Sequence, residues 1–289
     1  MPDFPSAQVG VIGGSGMYDI EGLTDVQEVY VGTPFGDPSD RLVVGSLEGV
    51  RVAFLPRHGR GHRIGPSEIN YRANVYAMKS LGVERLISVS AVGSMREDVH
   101  PCDIVVPDQI FDRTVQRART FFSDGVVAHV GLAEPYCPNL ADRMVLAAEG
   151  IAPQVHRSGT YICIEGPQFS TKAESRIYRQ WGVDVIGMTA MPEARLAREA
   201  ELCYATMAMV TDYDVWHETH EAVTVEQVNA NLTQNTANAK QILRRLVKTL
   251  AAQRPCSCGT ALASSIVTRS QDIPPVIRQR LEVIAGKYL

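Results

Sequence analysis

Residues 185–199 read VIGMTAMPEARLARE, and this stretch restricts the fold more than any other. Val183, Val185 and Ile186 form an apolar strand that breaks at Gly187. Met188 and Thr189 follow, and a helix is expected from about Pro192, whose missing N–H is no loss in a first helical turn. Glu193, Ala194, Leu196, Ala197 and Ala200 then fall at helical spacing. A buried strand that runs into small and polar residues and then into a helix is the repeating unit of an open α/β sheet, where ligands bind beyond the carboxyl ends of strands. An ordinary strand-to-helix connection reads the same way, so the remaining strands have to decide.

They repeat the pattern. Gln8 to Ile12 is a short apolar strand that runs into Gly13-Gly14-Ser15-Gly16. Successive glycines let backbone N–H groups converge on an anion such as phosphate, although a plain tight turn needs the same residues. A dinucleotide fingerprint fails because its third glycine would stand at Asp19, and no P-loop lysine follows. Arg41 to Leu47 and Arg51 to Leu55 read as a hairpin turning at Glu48-Gly49-Val50, and its second strand enters the loop Pro56-Arg57-His58-Gly59-Arg60-Gly61-His62. Arginine and histidine on flexible backbone at a strand end suit an oxyanion, arginine through its planar fork.

Arg85 to Val92 is a central strand by its near-continuous apolar run and ends at Ser90-Ala91-Val92-Gly93-Ser94. Asp103 to Phe111 reads as one strand, and Tyr161 to Ile164 as another that leads to Glu165-Gly166-Pro167-Gln168-Phe169. Phe169 is placed either to stack on a planar ligand or to staple the next helix. Tyr204 to Val210 ends in Thr211-Asp212-Tyr213-Asp214. If that end is extended, Asp212 and Asp214 point the same way, and one of them is a candidate general acid, its pKa raised by burial and by the other's charge. Helices are expected over Pro66 to Leu81, from the Thr171/Glu174 capping box to Gly182, from the Thr224/Gln227 cap to about Ala252, and over Pro274 to Lys287. The segment from Asp112 to Pro138, which contains His129, has no clean periodicity and is long for a structureless loop, a sign of function or of an interface.

With 289 residues and 45% hydrophobic content the chain can bury one large core, and no Pro/Ser/Gly linker divides it. A formal charge of −4 and no basic run longer than Arg244-Arg245 leave no electrostatic footprint for nucleic acid, so a small-molecule partner is expected. No charged n-region with an apolar h-region opens the sequence and no uninterrupted apolar stretch approaches about 18 residues, so the expected location is cytoplasmic, without membrane insertion. The cysteines at 102, 137, 163, 203, 256 and 258 are then expected mostly as thiols. Cys256-Ser257-Cys258 could instead close a small strained disulfide or join a metal site, but a four-cysteine zinc site wants a second closely spaced pair, which the sequence lacks; no metal is expected.

The motifs GVIGGSGMYD, TPFGDPSD, RHGRGH, NYRAN, SAVGSMRE, CIEGPQFST, MTAMPEARLARE and TDYDVW stand in the order found in trimeric members of the purine nucleoside phosphorylase family. From about Val9 to about Val228 the chain resembles the S-methyl-5'-thioadenosine phosphorylases of that family. The resemblance implies an α/β phosphorylase domain over residues 1–254, a central mixed twisted sheet flanked by helices, with a tail over 255–289 that carries a terminal helix. It implies phosphate held by Ser15, Arg57, His58, Ser90 and Thr189, ribose by Met188 with Ala91 nearby, and a purine against Phe169 beneath Asp212 and Asp214. The 5'-methylthio group would face Val225 and Val228, and His129 from a neighbouring subunit of a trimer or a dimer of trimers. Inorganic phosphate is the implied co-substrate, with no cofactor. Three departures stand out: Gly187 where many relatives carry asparagine, Asn229 where leucine commonly lines the 5' pocket, and a Cys-Ser-Cys tail like that of archaeal members that use cysteine pairs, which makes Cys137 with Cys203 a plausible pair too. A broader phosphorylase that accepts adenosine or methylthioinosine remains the alternative. A hydrolytic nucleosidase has no need of Arg57 and His58, and a non-catalytic purine binder has none of Asp212.

Overall fold

The computed structural model describes residues 4–14, 17, 19–217, 225–250 and 253–289, the side chains of 225–229 excepted. In chain order its elements are β1 (Val9–Gly13), β2 (Leu23–Val29), β3 (Leu42–Leu47), β4 (Val50–Pro56), α1 (Tyr71–Ser80), β5 (Arg85–Ser94), β6 (Ile104–Val106), β7 (Gln109–Arg113), α2 (Pro138–Ala148), β8 (Val155–Arg157), β9 (Thr160–Ile164), α3 (Lys172–Gln180), β10 (Val185–Gly187), α4 (Ala190–Glu199), β11 (Cys203–Asp212), α5 (Val225–Thr249) and α6 (Pro275–Ala285).

The strands form one 11-stranded mixed sheet that branches at β5. Arg85 to Ser88 pair in parallel with β1, which carries β4, β3 and β2 outward. Gly93 and Ser94 pair antiparallel with β10, which continues to β9 and β7. Along its length β5 also pairs in parallel with β11, whose other edge meets β6 and then β8. A strand with neighbours on both edges and helices on both faces is buried almost throughout, as β5 is at every position but Ala91. One face buries α1, α4 and α6, the other α2 and α5.

Local chemistry accounts for most boundaries. In the β3–β4 hairpin Leu47 pairs with Val50, so the turn is Glu48-Gly49, both in the left-handed region at φ 51° and 80°, as a two-residue hairpin requires. Thr171 and Glu174 make the expected capping box at α3. Met191 is extended (φ −117°, ψ 137°), so the regular part of α4 starts at Pro192. The α5 cap expected at Thr224 lies outside the described residues.

Other boundaries differ from expectation. The single strand over 103–111 is two, because Pro107 cannot donate to a ladder and the chain there crosses from the β11 branch to the β9 branch. Residues 66–68 are turn, and α1 begins at Tyr71 under Asn70, whose side chain accepts the Ala73 N–H. The α/β class and the mixed helix-flanked sheet match the reading of the sequence.

Arg57, the residue that leaves β4, is 2% exposed and meets Glu193 of α4, 0% exposed, through Nε–Oε2 at 2.9 Å and Nη2–Oε1 at 3.0 Å. Nη1 also donates to the Val89 carbonyl, and Nη2 to the Ile12 carbonyl and to Ser88 Oγ. Tyr204 Oη of β11 donates to Glu193 Oε1 at 3.0 Å. Burial alone would pull the Arg57 guanidinium down; the charge and hydrogen bonds of Glu193 outweigh it and hold the pKa above the ordinary arginine value. Breaking such a buried pair leaves one charge stranded, at a cost of about 3–5 kcal/mol. Glu193→Ala is therefore expected to lower the urea midpoint by that equivalent, and the double change Arg57→Met/Glu193→Leu to recover much of it. A single variant within about 1 kcal/mol of wild type would show that the pair does not hold these elements together.

Candidate active site

The ends of β1, β4, β5, β9, β10 and β11 surround a cavity of about 630 Å³ lined by Gly14, Arg57, His58, Ser90, Ala91, Phe169, Met188, Thr189, Asp212 and Asp214, with Leu232 and Thr236 of α5. Of the residues singled out in the sequence, these share one space. Ser15 lies outside the described residues, as do the side chains of Val225, Val228 and Asn229. His129 is exposed and is not among the described residues of the lining; its N–H donates to the Ser265 carbonyl at 2.8 Å, on a segment that the tail holds.

One group of side chains suits an anion. Ser90 Oγ of β5 and Thr189 Oγ1, just past β10, stand 3.1 Å apart. His58 follows Arg57 and faces the Ile64 carbonyl through Nδ1 at 2.8 Å; a carbonyl only accepts, so the proton sits on Nδ1 and Nε2 carries a lone pair. Burial depresses the pKa of His58 to about 4, so it is neutral over the physiological range. His62 stacks on it with ring centroids 4.3 Å apart. Arg57 lines the cavity too, but each of its guanidinium nitrogens already donates to the protein, so its fork is largely engaged by Glu193 and the strand ends while hydroxyls, backbone and imidazole complete the anion site.

The second group is the pair of carboxylates. They come together by a turn and not by extended alternation: β11 carries an irregularity between Val210 and Asp212, and Asp214 lies at φ 53°. Asp212 Oδ1 accepts the Asp214 N–H at 2.8 Å and Oδ2 accepts Thr211 Oγ1 at 2.7 Å; Asp214 Oδ2 accepts Ser175 Oγ at 2.5 Å. Position 93 has to be glycine for this turn to seat, since a Cβ there would lie 2.9 Å from Asp212 Oδ1. Burial raises the pKa of both acids; the charge of Asp212 adds a smaller upward push on Asp214.

Several residues escaped the sequence reading. Glu193 and Ser175 are partners of site residues but lie far from them in sequence. Arg117, from the aperiodic segment, donates through Nη1 to the carbonyls of Met188 and Met191, both at 2.6 Å, and so pins the loop that carries Thr189. Tyr161 sends its hydroxyl to 3.4 Å from Ser90 Oγ, and a Cβ on Gly187 would stand 1.9 Å from that hydroxyl. The missing side chain at 187 was the available signal: the tyrosine fills its place.

A folded-state pKa above the unfolded value means that these acids favour the native state at low pH and that this contribution is lost as pH rises through the carboxylate range. Asn cannot ionise and still accepts from Ser175. Asp214→Asn should therefore stabilise the protein more at pH ~8 than at pH ~4, read as urea midpoints; an effect independent of pH would mean that burial does not disfavour the carboxylate.

A family profile described as the phosphorylase superfamily matches residues 8–248. An S-methyl-5'-thioadenosine phosphorylase of Koribacter versatilis is 55% identical over 282 residues, covering 98% of this chain and 97% of its own length. The crystal structure of a methylthioadenosine phosphorylase sourced from an antarctic soil metagenomic library superposes with a TM-score of 0.93 at 49% identity, over 97% of this chain and 99% of that one. The methylthioadenosine phosphorylase of Schistosoma mansoni in complex with adenine gives 0.84 at 37% identity, over 92% and 100%. With strand ends, cavity and near full-length likeness in agreement, the chain belongs to the phosphorylase superfamily.

Proposed function

We propose that this chain cleaves S-methyl-5'-thioadenosine with inorganic phosphate, releasing adenine and 5-methylthioribose 1-phosphate. The observation that carries the reading is the joint presence, in one cavity, of a hydroxyl–imidazole anion site and a close pair of carboxylates, Asp214 buried and Asp212 half-buried, biased toward keeping a proton. High identity to relatives named for this activity supports it.

Phosphate rests on Ser90, Thr189, His58 and the glycine loop that includes Ser15, held in place by Arg57 behind it. Because Nδ1–H of His58 is committed, the monoanion donates its proton to Nε2, whereas the dianion gains a bond there only once His58 takes up a proton. As the phosphate oxygen bonds to C1', the glycosidic bond breaks and its electron pair moves into the purine. Positive charge on the sugar is met by the phosphate, and negative charge on the base by a proton from Asp212 to N7. Asp214 accepts from the 6-amino group and disfavours a 6-oxo group. Phe169 lies against the base, Met188 and Ala91 against the ribose, and Val225 and Val228 near the methylthio group. No cofactor takes part.

His129 reaches a 5' pocket only if that pocket belongs to a neighbouring subunit, so we propose a homo-oligomer with threefold symmetry, a trimer or a dimer of trimers. Among the described residues no helix is long and apolar enough to cross a membrane, and we place the enzyme in the cytoplasm.

Methylthioadenosine, methylthioinosine, adenosine and inosine, each with and without phosphate, test the reading. Adenine release should collapse without phosphate; undiminished release would make the enzyme a hydrolase. Asp212→Asn should lose about a hundredfold or more in kcat/KM on methylthioadenosine. On methylthioinosine the loss should be smaller, or replaced by a gain, because the amide can bond both N7 and O6; equal losses would remove Asp212 from base selection. Sedimentation should find activity only in an oligomer, and a fully active monomer would refute the shared pocket.

A further inference from the structure

Cys137, Cys203, Cys256 and Cys258 bring four Sγ atoms to within 4.8 Å of one another. The second close pair that a zinc site wants is missing from the sequence and present in space. Cys137, at the N-terminal boundary of α2, lies beside Cys203, which opens β11, because the Cys137 N–H donates to the Tyr204 carbonyl at 2.8 Å. Cys256 and Cys258 lie at the first 3-10 turn of the tail, Ser257–Thr260. Cys137, Cys203 and Cys258 are buried, and Cys256 is half-buried.

A tetrahedral zinc ion with metal–sulfur bonds of about 2.3 Å sets its sulfurs about 3.8 Å apart. Cys203 Sγ and Cys256 Sγ stand 3.3 Å apart and no pair of the four exceeds 4.8 Å, bounds that bracket that value. That 3.3 Å approach runs from sheet to tail, not within either close pair. The four sulfurs thus form one cluster that joins sheet to tail, with all four cysteines unbridged. Positive charge suited to a tetrathiolate is at hand: the N-terminus of α2 meets Cys137, and Arg198 Nη1 lies 3.9 Å from Cys258 Sγ. Arg254 packs its guanidinium on Gly259, so closely that a Cβ there would lie 2.6 Å from Nη2.

We propose that these four cysteines bind one divalent zinc-class cation in a closed structural site. Binding forms four metal–sulfur bonds and releases the thiol protons to solvent, with no electron transferred. The ion clasps the tail to the first turn of α2 and the start of β11. The same tail bridges Ile266 to Ala128 and accepts the His129 N–H at Ser265, so the clasp also sets the segment that presents His129.

The full-length protein, expressed with added zinc and purified under reductant, should carry about one zinc per chain by elemental analysis and native mass spectrometry. A strong chelator should remove the metal, lower Tm and expose the four thiols to a thiol reagent, and zinc should restore both. Cobalt(II) added to the stripped protein should give the charge-transfer and intense visible bands of a tetrahedral thiolate site. Cys256→Ser/Cys258→Ser should lower metal content at least tenfold; far-UV circular dichroism and Cys137→Ser alone guard against misfolding as the cause. Reduced wild type that takes up neither zinc nor cobalt overturns the site. So does metal-free protein, fresh from cells without reductant, whose intact mass is lower by four hydrogens, since the sulfurs would then be paired as disulfides.

Discussion

The guanidinium of Arg57 ties the carbonyl of Ile12 in β1, Ser88 and Val89 in β5, and Glu193 in α4 into one hydrogen-bonded knot, with Tyr204 of β11 closing the far side of Glu193. None of these groups has water to fall back on. A buried carboxylate and a buried guanidinium are tolerable only together and only with their remaining hydrogen-bonding capacity filled, so the pair dictates how far apart the strand ends stand. The cavity is the space those ends enclose. Its shape thus follows from an ion pair at its wall, and the loop carrying His58 inherits its position from the same pair.

The site works against stability where the chemistry requires it. Asp214 is buried and Asp212 half-buried in a turn that only a glycine at 93 admits, and burial favours their neutral forms. Ser175 and Thr211 anchor the carboxylates through hydroxyls, which orient them without adding the charge that would hold them ionised. An arginine in either place would pull the carboxyl pKa down and end its use as a proton donor. His58 is treated alike: burial keeps the imidazole neutral, so the anion site has no fixed charge of its own on that ring.

Much of this was legible because strand ends announce themselves. Apolar runs that stop at Gly13, Ser90, Gly187 and Thr211 mark where small and polar residues gather, so Ser90, Thr189 and Asp212 were legible as strand-end positions, whereas the ligand each would hold came from the family resemblance and Phe169 stayed open between stacking and stapling. What stayed hidden depends on contacts between distant segments. Arg57 reads as an anion binder until Glu193 is seen 136 positions away, and Arg117 sits in a stretch without period. The short β8 and the polar edge strand β2 carry too little apolar pattern to stand out, whereas α2 had an N1 proline and a Leu140/Met144/Ala148 stripe that the aperiodic residues before it obscured. The two aspartates were located correctly but for the wrong geometric reason, since an extended end and a tight turn both bring residues two apart to one side.

Tyr161 and Gly187 share a single volume, and this restricts the order in which a lineage can change them. With the tyrosine in place, the chain cannot accept any side chain at 187, because its first carbon would already overlap the hydroxyl. With a small residue at 161, a glycine at 187 would leave a hole beside Ser90. A phosphorylase that carries asparagine at the position of Gly187 must therefore carry something shorter than tyrosine at the position of Tyr161, and passage between the two arrangements has to go through the hole and not through the clash. The polar group beside Ser90 is therefore lost at the intermediate and regained from the neighbouring strand, β10 in place of β9.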